Sequence, residues 1–290
     1  MRFLKTFIPL LLLLPMTGCF SNGDSSNTIY TSFYPVYEFT SRIVGDKFNV
    51  VNITPAGVEP HDFEISAKQL ANLYDSKALF INGLGLEHWY NSLNSKITSK
   101  TYEVSKDIPT RKQNNIVDPH IWLNPLYAIK EMTNITSYMS EIDPDNKAYY
   151  EANLLKATNE FTTLDEYLLN EVATFTNKNI LVNHAAFGYM CDRYGLNQIY
   201  VSGLEPEEEP SPQVIAEIIK KVDEYQINTI FTEELASSEV SEAIARQCNI
   251  KTDTLNPLEG LKKEQLENGD NYIAVMKDNF KRLKKACSGE

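Results

Sequence analysis

The stretch Asp143-Pro-Asp-Asn-Lys-Ala-Tyr-Tyr-Glu-Ala-Asn-Leu-Leu-Lys-Ala-Thr-Asn-Glu-Phe-Thr-Thr-Leu-Asp-Glu-Tyr-Leu-Leu-Asn-Glu-Val-Ala-Thr-Phe175 decides the architecture of this 290-residue chain. It contains no glycine, and its one proline, Pro144, stands at the start, where a helix tolerates it. Tyr149, Leu154, Ala157, Phe161, Leu164, Leu168 and Val172 recur every three to five residues, the spacing of one helical face. A helix of roughly 30 residues extends on the order of 45 Å, longer than most globular helices. The pattern therefore predicts a rod, residues 143–176, linking two folded halves.

Working outward, both flanks alternate short apolar runs with helical patterns. On the N-terminal side Ile29–Phe33, Asn49–Ile53 and Ala78–Ile81 read as strands. Helices are predicted from Tyr34-Pro35 onward and over Ser66–Tyr74. The pattern begins again at Asn179–Val182, with further strands at Asn197–Val201, Thr229–Phe231 and Lys251–Leu255. Between and after them, Ala185–Tyr194, Ser211–Tyr225, Ser238–Gln247 and Asn271–Lys285 read as helices. Such alternation implies parallel sheets built from βα units. The fold class is α/β: two α/β domains, 29–142 and 177–290, with mostly parallel sheets joined by one long rigid helix.

The N-terminus predicts export from the cytoplasm. A short basic start, Met-Arg-Phe-Leu-Lys, precedes an apolar run from Phe7 to Leu14 and the small residues Thr17-Gly18. These are the parts of a secretory signal, and the run is too short to span a bilayer. Cys19 follows directly, an arrangement that resembles a bacterial lipobox in which that thiol is acylated. Residues 1–18 are thus the expected lipoprotein signal peptide, Cys19 the lipid anchor and 19–28 a flexible polar tether.

The formal net charge is −12, and removal of Arg2 and Lys5 with the signal takes it to −14. An acidic surface repels phosphate backbones, which argues against nucleic acid as a partner. Cys191, Cys248 and Cys287 form no close-spaced pair, so a thiolate metal cluster is unsupported. A Cys248–Cys287 disulfide is left open.

Three of the four histidines share a setting. His61 lies in Glu59-Pro-His-Asp-Phe-Glu64 after the second strand, His120 in Asp118-Pro-His-Ile-Trp-Leu-Asn-Pro125, and His184 in Val182-Asn-His-Ala-Ala-Phe187 after a strand of the second half. Ligands of open α/β sheets bind beyond the carboxyl ends of strands, so a crevice between the halves can unite His61 with His184. Proline stiffens the backbone before His61 and His120. Glu59, Asp62 and Asp118 are candidate acceptors to orient the rings. Imidazole is the commonest zinc ligand. His88, in Leu84-Gly-Leu-Glu-His-Trp89, lacks this setting and reads as structural.

These motifs, with Glu209-Pro-Ser-Pro212, Leu255-Asn-Pro-Leu-Glu-Gly260 and Asn271-Tyr-Ile-Ala-Val-Met-Lys-Asp-Asn279, stand in an order that resembles the zinc/manganese solute-binding lipoproteins of bacterial ABC importers. The resemblance covers essentially the whole mature chain. It implies a metal site in the interdomain cleft with His61, His120 and His184 as ligands. The fourth position it implies is a carboxylate or water; the matching residue is Glu259, with Glu234 as the nearest competitor. The His-rich loop that many zinc members carry before Asp-Pro-His is replaced here by Thr110–Val117.

Three imidazoles and one carboxylate suit tetrahedral Zn2+ better than Mn2+, which prefers oxygen ligands. The expectation is therefore a monomeric, membrane-tethered zinc carrier that delivers its ion to an ABC permease. A manganese-selective carrier and a surface adhesin are the alternatives. A zinc hydrolase is disfavoured, because no His-Glu-x-x-His motif is present and Glu259 would fill the open coordination position.

Overall fold

The computed structural model describes residues 27–288. The signal peptide, the Cys19 anchor and all but the last two residues of the tether lie outside the described residues.

The N-terminal lobe contains β1 (Thr28–Thr31), α1 (Tyr34–Val44), β2 (Asn49–Asn52), α2 (Ala67–Asp75), β3 (Ala78–Ile81), α3 (Ser95–Thr98) and β4 (Thr101–Glu103). The strands pair in the order β2-β1-β3-β4, all parallel. The Ala-Leu-Phe-Ile run of β3 is buried at every position, as a strand covered on both faces requires. Ser66 caps α2 in a reciprocal box with Gln69, which fixes where that helix starts. A small antiparallel hairpin follows, β5 (Lys112–Gln113) and β6 (Ile116–Val117), turned by Asn114 and Asn115, both at positive φ.

Two helices come next, α4 (Pro125–Ile142) and α5 (Lys147–Ala173), reversed by a single 3-10 turn at Pro144–Asn146. The second lobe contains β7 (Asn179–His184), α6 (Gly188–Tyr194), β8 (Asn197–Ser202), α7 (Pro212–Glu224), β9 (Thr229–Thr232), α8 (Glu239–Cys248), β10 (Lys251–Thr254), α9 (Lys263–Glu267) and α10 (Tyr272–Cys287). Its sheet is again parallel, in the order β10-β9-β7-β8. In each sheet the order reverses beside the first strand, between β1 and β3 and between β7 and β9. Those two switch points are where open α/β sheets form crevices.

The central helix is real but differs from the expected rod in two ways. It starts at Lys147, because Pro144–Asn146 form the turn out of α4. Its 27 residues therefore extend about 40 Å. It is also embedded rather than free-standing. Phe39 of α1, Phe161 of α5 and Tyr272 of α10 pack together with centroids 4.8–5.8 Å apart. The N-terminal half of α5 is tied by Asn153 Nδ2 donating to the Ile43 carbonyl at 2.9 Å, the C-terminal half by Lys284 Nζ donating to Glu171 at 3.1 Å. One apolar core thus runs through both lobes, from Ile29 to Cys287.

Helix α4 has no counterpart in the sequence reading. Its apolar stripe, Ala128, Met132, Ile135 and Met139, is interrupted by the buried Glu131, and its β-branched residues weaken the local helical signal. Among the described residues Cys191, Cys248 and Cys287 are all free, so Cys248 and Cys287 do not pair. No described helix is long and apolar enough to cross a membrane.

Candidate metal centre

His61, His120, His184 and Glu259 meet at one buried point between the lobes. His61 lies in the loop after β2, and His120 precedes a 3-10 turn at Ile121–Leu123. His184 is the last residue of β7, and Glu259 lies in the loop after β10. The Nε2 atoms of His61 and His184 are each 3.3 Å from His120 Nε2. Glu259 Oε1 stands 3.5, 3.0 and 3.3 Å from the Nε2 atoms of His61, His120 and His184. An ion holding four ligands tetrahedrally at ~2.0–2.1 Å places them about 3.3–3.4 Å apart, which matches these edges.

Each ring is fixed from behind. The Nδ1 atoms of His120, His184 and His61 face Asp118 at 2.8 Å, Glu233 at 2.7 Å and Glu205 at 3.0 Å. A neutral imidazole that donates Nδ1–H to a carboxylate turns a lone pair on Nε2 inward. Three such lone pairs converge on Glu259 Oε1, a buried oxygen with no hydrogen-bonding partner of its own. Four acceptors around one point require positive charge, supplied by protons or by a metal ion.

The electrostatics agree. Burial alone would lower the His61 imidazole, but its hydrogen bond with Glu205, its contact with Glu259 and the charges of Glu259 and Glu59 raise it to about 10. His184 moves up likewise, as Glu233 and Glu259 outweigh its burial. Burial would raise Glu259, yet the facing histidines hold it well below the ordinary carboxylate range. Glu59 rises to about 7 through burial and the nearby charge of Glu259.

The supports of this point cross the cleft. Trp122, two residues after His120, donates Nε1–H to the Pro257 carbonyl at 2.8 Å, beside Glu259. Tyr272 donates its hydroxyl to the Trp122 carbonyl at 2.6 Å. Leu258, at φ 62, takes the left-handed conformation just before Glu259, and its N–H donates to Asn256 Oδ1 at 2.7 Å. Asn279 clamps Asn256 through both backbone groups, at 2.9 and 2.7 Å. The loop is thereby over-determined, as an αL leucine costing on the order of 1–3 kcal/mol requires.

Of the residues singled out in the sequence, Asp118 orients His120, while Glu59 accepts from the backbone N–H groups of His61 and Asp62. Glu234 is outside the group and faces Lys262 at 3.9 Å. His88 stands outside the group, as expected, and is exposed, with Nε2 4.0 Å from Glu205. Sequence reasoning missed Glu205 and Glu233. Glu233 directly follows the end of β9 and Glu205 lies in the loop after β8, so both meet the strand-end criterion that had selected His184.

Comparison with known proteins follows the same lines. The family model described as "Zinc-uptake complex component A periplasmic" matches residues 29–286. The high-affinity zinc uptake system protein ZnuA of Bacillus subtilis is 36% identical over 282 residues, covering 91% of this chain and 88% of that one. The zinc-binding lipoprotein AdcA of Streptococcus pneumoniae is 34% identical over 92% of this chain, which spans 57% of that longer relative. The crystal structure of its Zn(II)-bound ZnuA-like domain superimposes with a TM-score of 0.79 at 36% identity, covering 91% of this chain and 99% of that domain.

Proposed function

The chain belongs to the zinc-uptake family of solute-binding components, and from that premise we propose that it captures a zinc ion outside the cytoplasmic membrane and passes it to the permease of an ABC importer. The observation that carries this reading is the buried set of four converging acceptors at tetrahedral spacing. His61, His120, His184 and Glu259 are the proposed ligands of the transported ion. Three imidazoles favour zinc over manganese, which seeks oxygen.

The residues divide the work. Asp118, Glu233 and Glu205 keep the Nε2 lone pairs aimed inward, and Glu259 supplies the negative charge that offsets the cation. Zinc capture displaces protons from the histidines, so it is coupled to proton release. Because Glu259 takes the fourth position, no open coordination site remains to activate water. The protein is accordingly a carrier and not an enzyme. We further propose acylation at Cys19 and residues 19–28 as a tether holding a monomer at the membrane surface. The proposed division is 29–142 and 177–290 with 143–176 between them. The shared core about α5 favours small lobe shifts over wide hinge closure during release.

The deciding experiment measures metal content and competes zinc against a chelator on the mature chain, wild type and His184→Ala. Tight zinc binding that the substitution weakens by at least tenfold is expected. Manganese binding tighter than zinc would sink the selectivity, and undiminished zinc affinity in the variant would sink the ligand set.

A further inference from the structure

The three carboxylates behind the histidines are not equivalent. Asp118 and Glu233 are buried, and each also accepts from the backbone N–H of the histidine it orients, at 3.0 and 3.3 Å. Glu205 is different: half of its side chain is exposed, and it holds His61 by the ring alone. It is also the one that reaches between lobes, from the loop after β8 to a histidine 144 positions earlier in the chain. Its second oxygen lies 4.0 Å from Nε2 of the exposed His88. Both imidazoles belong to the N-terminal lobe, so one carboxylate of the C-terminal lobe faces two of them.

The ring of His61 has little else to direct it. Residues 53–66 carry no helix or strand, and Glu59 fixes the backbone at His61 and Asp62 rather than the imidazole. His120 and His184, by contrast, sit on backbone packed against the core. We propose that Glu205 is the outward-facing positioning residue of the centre, orienting His61 from across the cleft and setting the rate at which the ion leaves. This rests on the zinc-carrier reading above. Water has access to Glu205, so its bond to His61 is the one of the three that solvent can replace without opening the core. When it breaks, His61 is free to turn and the ion keeps only the inner ligands. His88 offers Glu205 an alternative partner on the solvent side.

The test is zinc release from the mature chain into excess chelator by rapid mixing, with association measured separately. Variants are Glu205→Ala, Glu205→Asp, His88→Ala and Glu209→Ala, the last removing an acid four positions further along the same loop between β8 and α7. Loss of a carboxylate behind a metal-binding histidine typically costs 10–100-fold. Glu205→Ala should release zinc at least tenfold faster, with association within about threefold and the melting temperature of the metal-free protein unchanged. Glu205→Asp should recover part of the effect, and His88→Ala should change release by only a few-fold. Wild-type release from Glu205→Ala overturns the inference while leaving the carrier reading intact. So does an equal acceleration in Glu209→Ala, which would assign the effect to overall charge. Failure of the wild type to bind zinc overturns both.

Discussion

Glu233 faces His184 Nδ1 at 2.7 Å across the gap between β9 and β7, whereas its neighbour Glu234 turns away toward Lys262. The gap is the switch point of the second sheet, so the pair is a product of topology: the end of β7 supplies the imidazole and the end of β9 the carboxylate. Glu233→Gln should weaken zinc binding 10–100-fold by losing the charge that fixes the ring. Glu234→Gln should bind within about threefold of wild type. Competition titration of the two variants side by side checks this, and equal losses would contradict the assignment.

A second prediction concerns pH. The carboxylates around the site strengthen its hold on protons as well as on metal, with His61 raised to about 10 and His184 also raised. A raised histidine stays protonated to higher pH, and that proton must leave before Nε2 can ligate. Apparent zinc affinity should therefore keep climbing with pH beyond 6.5, the ordinary histidine value, and on past neutrality. Titrations between pH 6 and 9 at fixed ionic strength measure the slope, and a plateau from pH 7 upward would refute it.

Much of this was legible from residue order. Short buried strands such as Ala78–Ile81 announce themselves by composition, and His61 and His184 by lying after or at a strand end. Helix α4 was not legible, because its stripe contains a carboxylate and many β-branched residues. Glu205 and Glu233 were missed for another reason. A solvated acid and one that orients a histidine look alike in sequence, and only the folded cleft brings them to imidazoles 144 and 49 positions away. The embedding of α5 was equally hidden, since Phe39, Phe161 and Tyr272 become neighbours only in three dimensions.

Gly188 provides a third test. A Cβ at this position would overlap the Arg111 guanidinium and crowd Asp118. Arg111 Nη1 lies 3.5 Å from one oxygen of Asp118, whose other oxygen faces His120. Gly188→Ala should displace Arg111, leave the buried Asp118 charge without its cation, and loosen His120. Zinc affinity is expected to fall about tenfold, in line with other losses of support behind a ligand. Arg111→Ala should lower it in the same direction. Isothermal titration of both variants decides, and wild-type affinity in Gly188→Ala would show that the packing tolerates the methyl group.

Glu131 supplies the last prediction, and it concerns stability alone. It lies on the buried stripe of α4 between Ala128 and Ile135, fully enclosed, with no hydrogen-bonding partner for either oxygen. Burial raises its carboxyl well above the ordinary value of 4.5, so the folded protein keeps it neutral where the unfolded chain ionises it. Between those two points the folded state binds more protons, and stability must fall as pH rises, by up to about 1.4 kcal/mol per pH unit. Glu131→Met fills similar space without the unsatisfied polar atoms, and should stabilise the metal-free protein by ~1–3 kcal/mol at neutral pH. Its melting temperature should rise by roughly 2–4 °C for each kcal/mol gained. Between pH 5 and 7 the variant should also lose stability less steeply than wild type. Denaturant titrations across that range test both statements, and a less stable variant with an unchanged pH slope would mean that Glu131 has found a partner in the core.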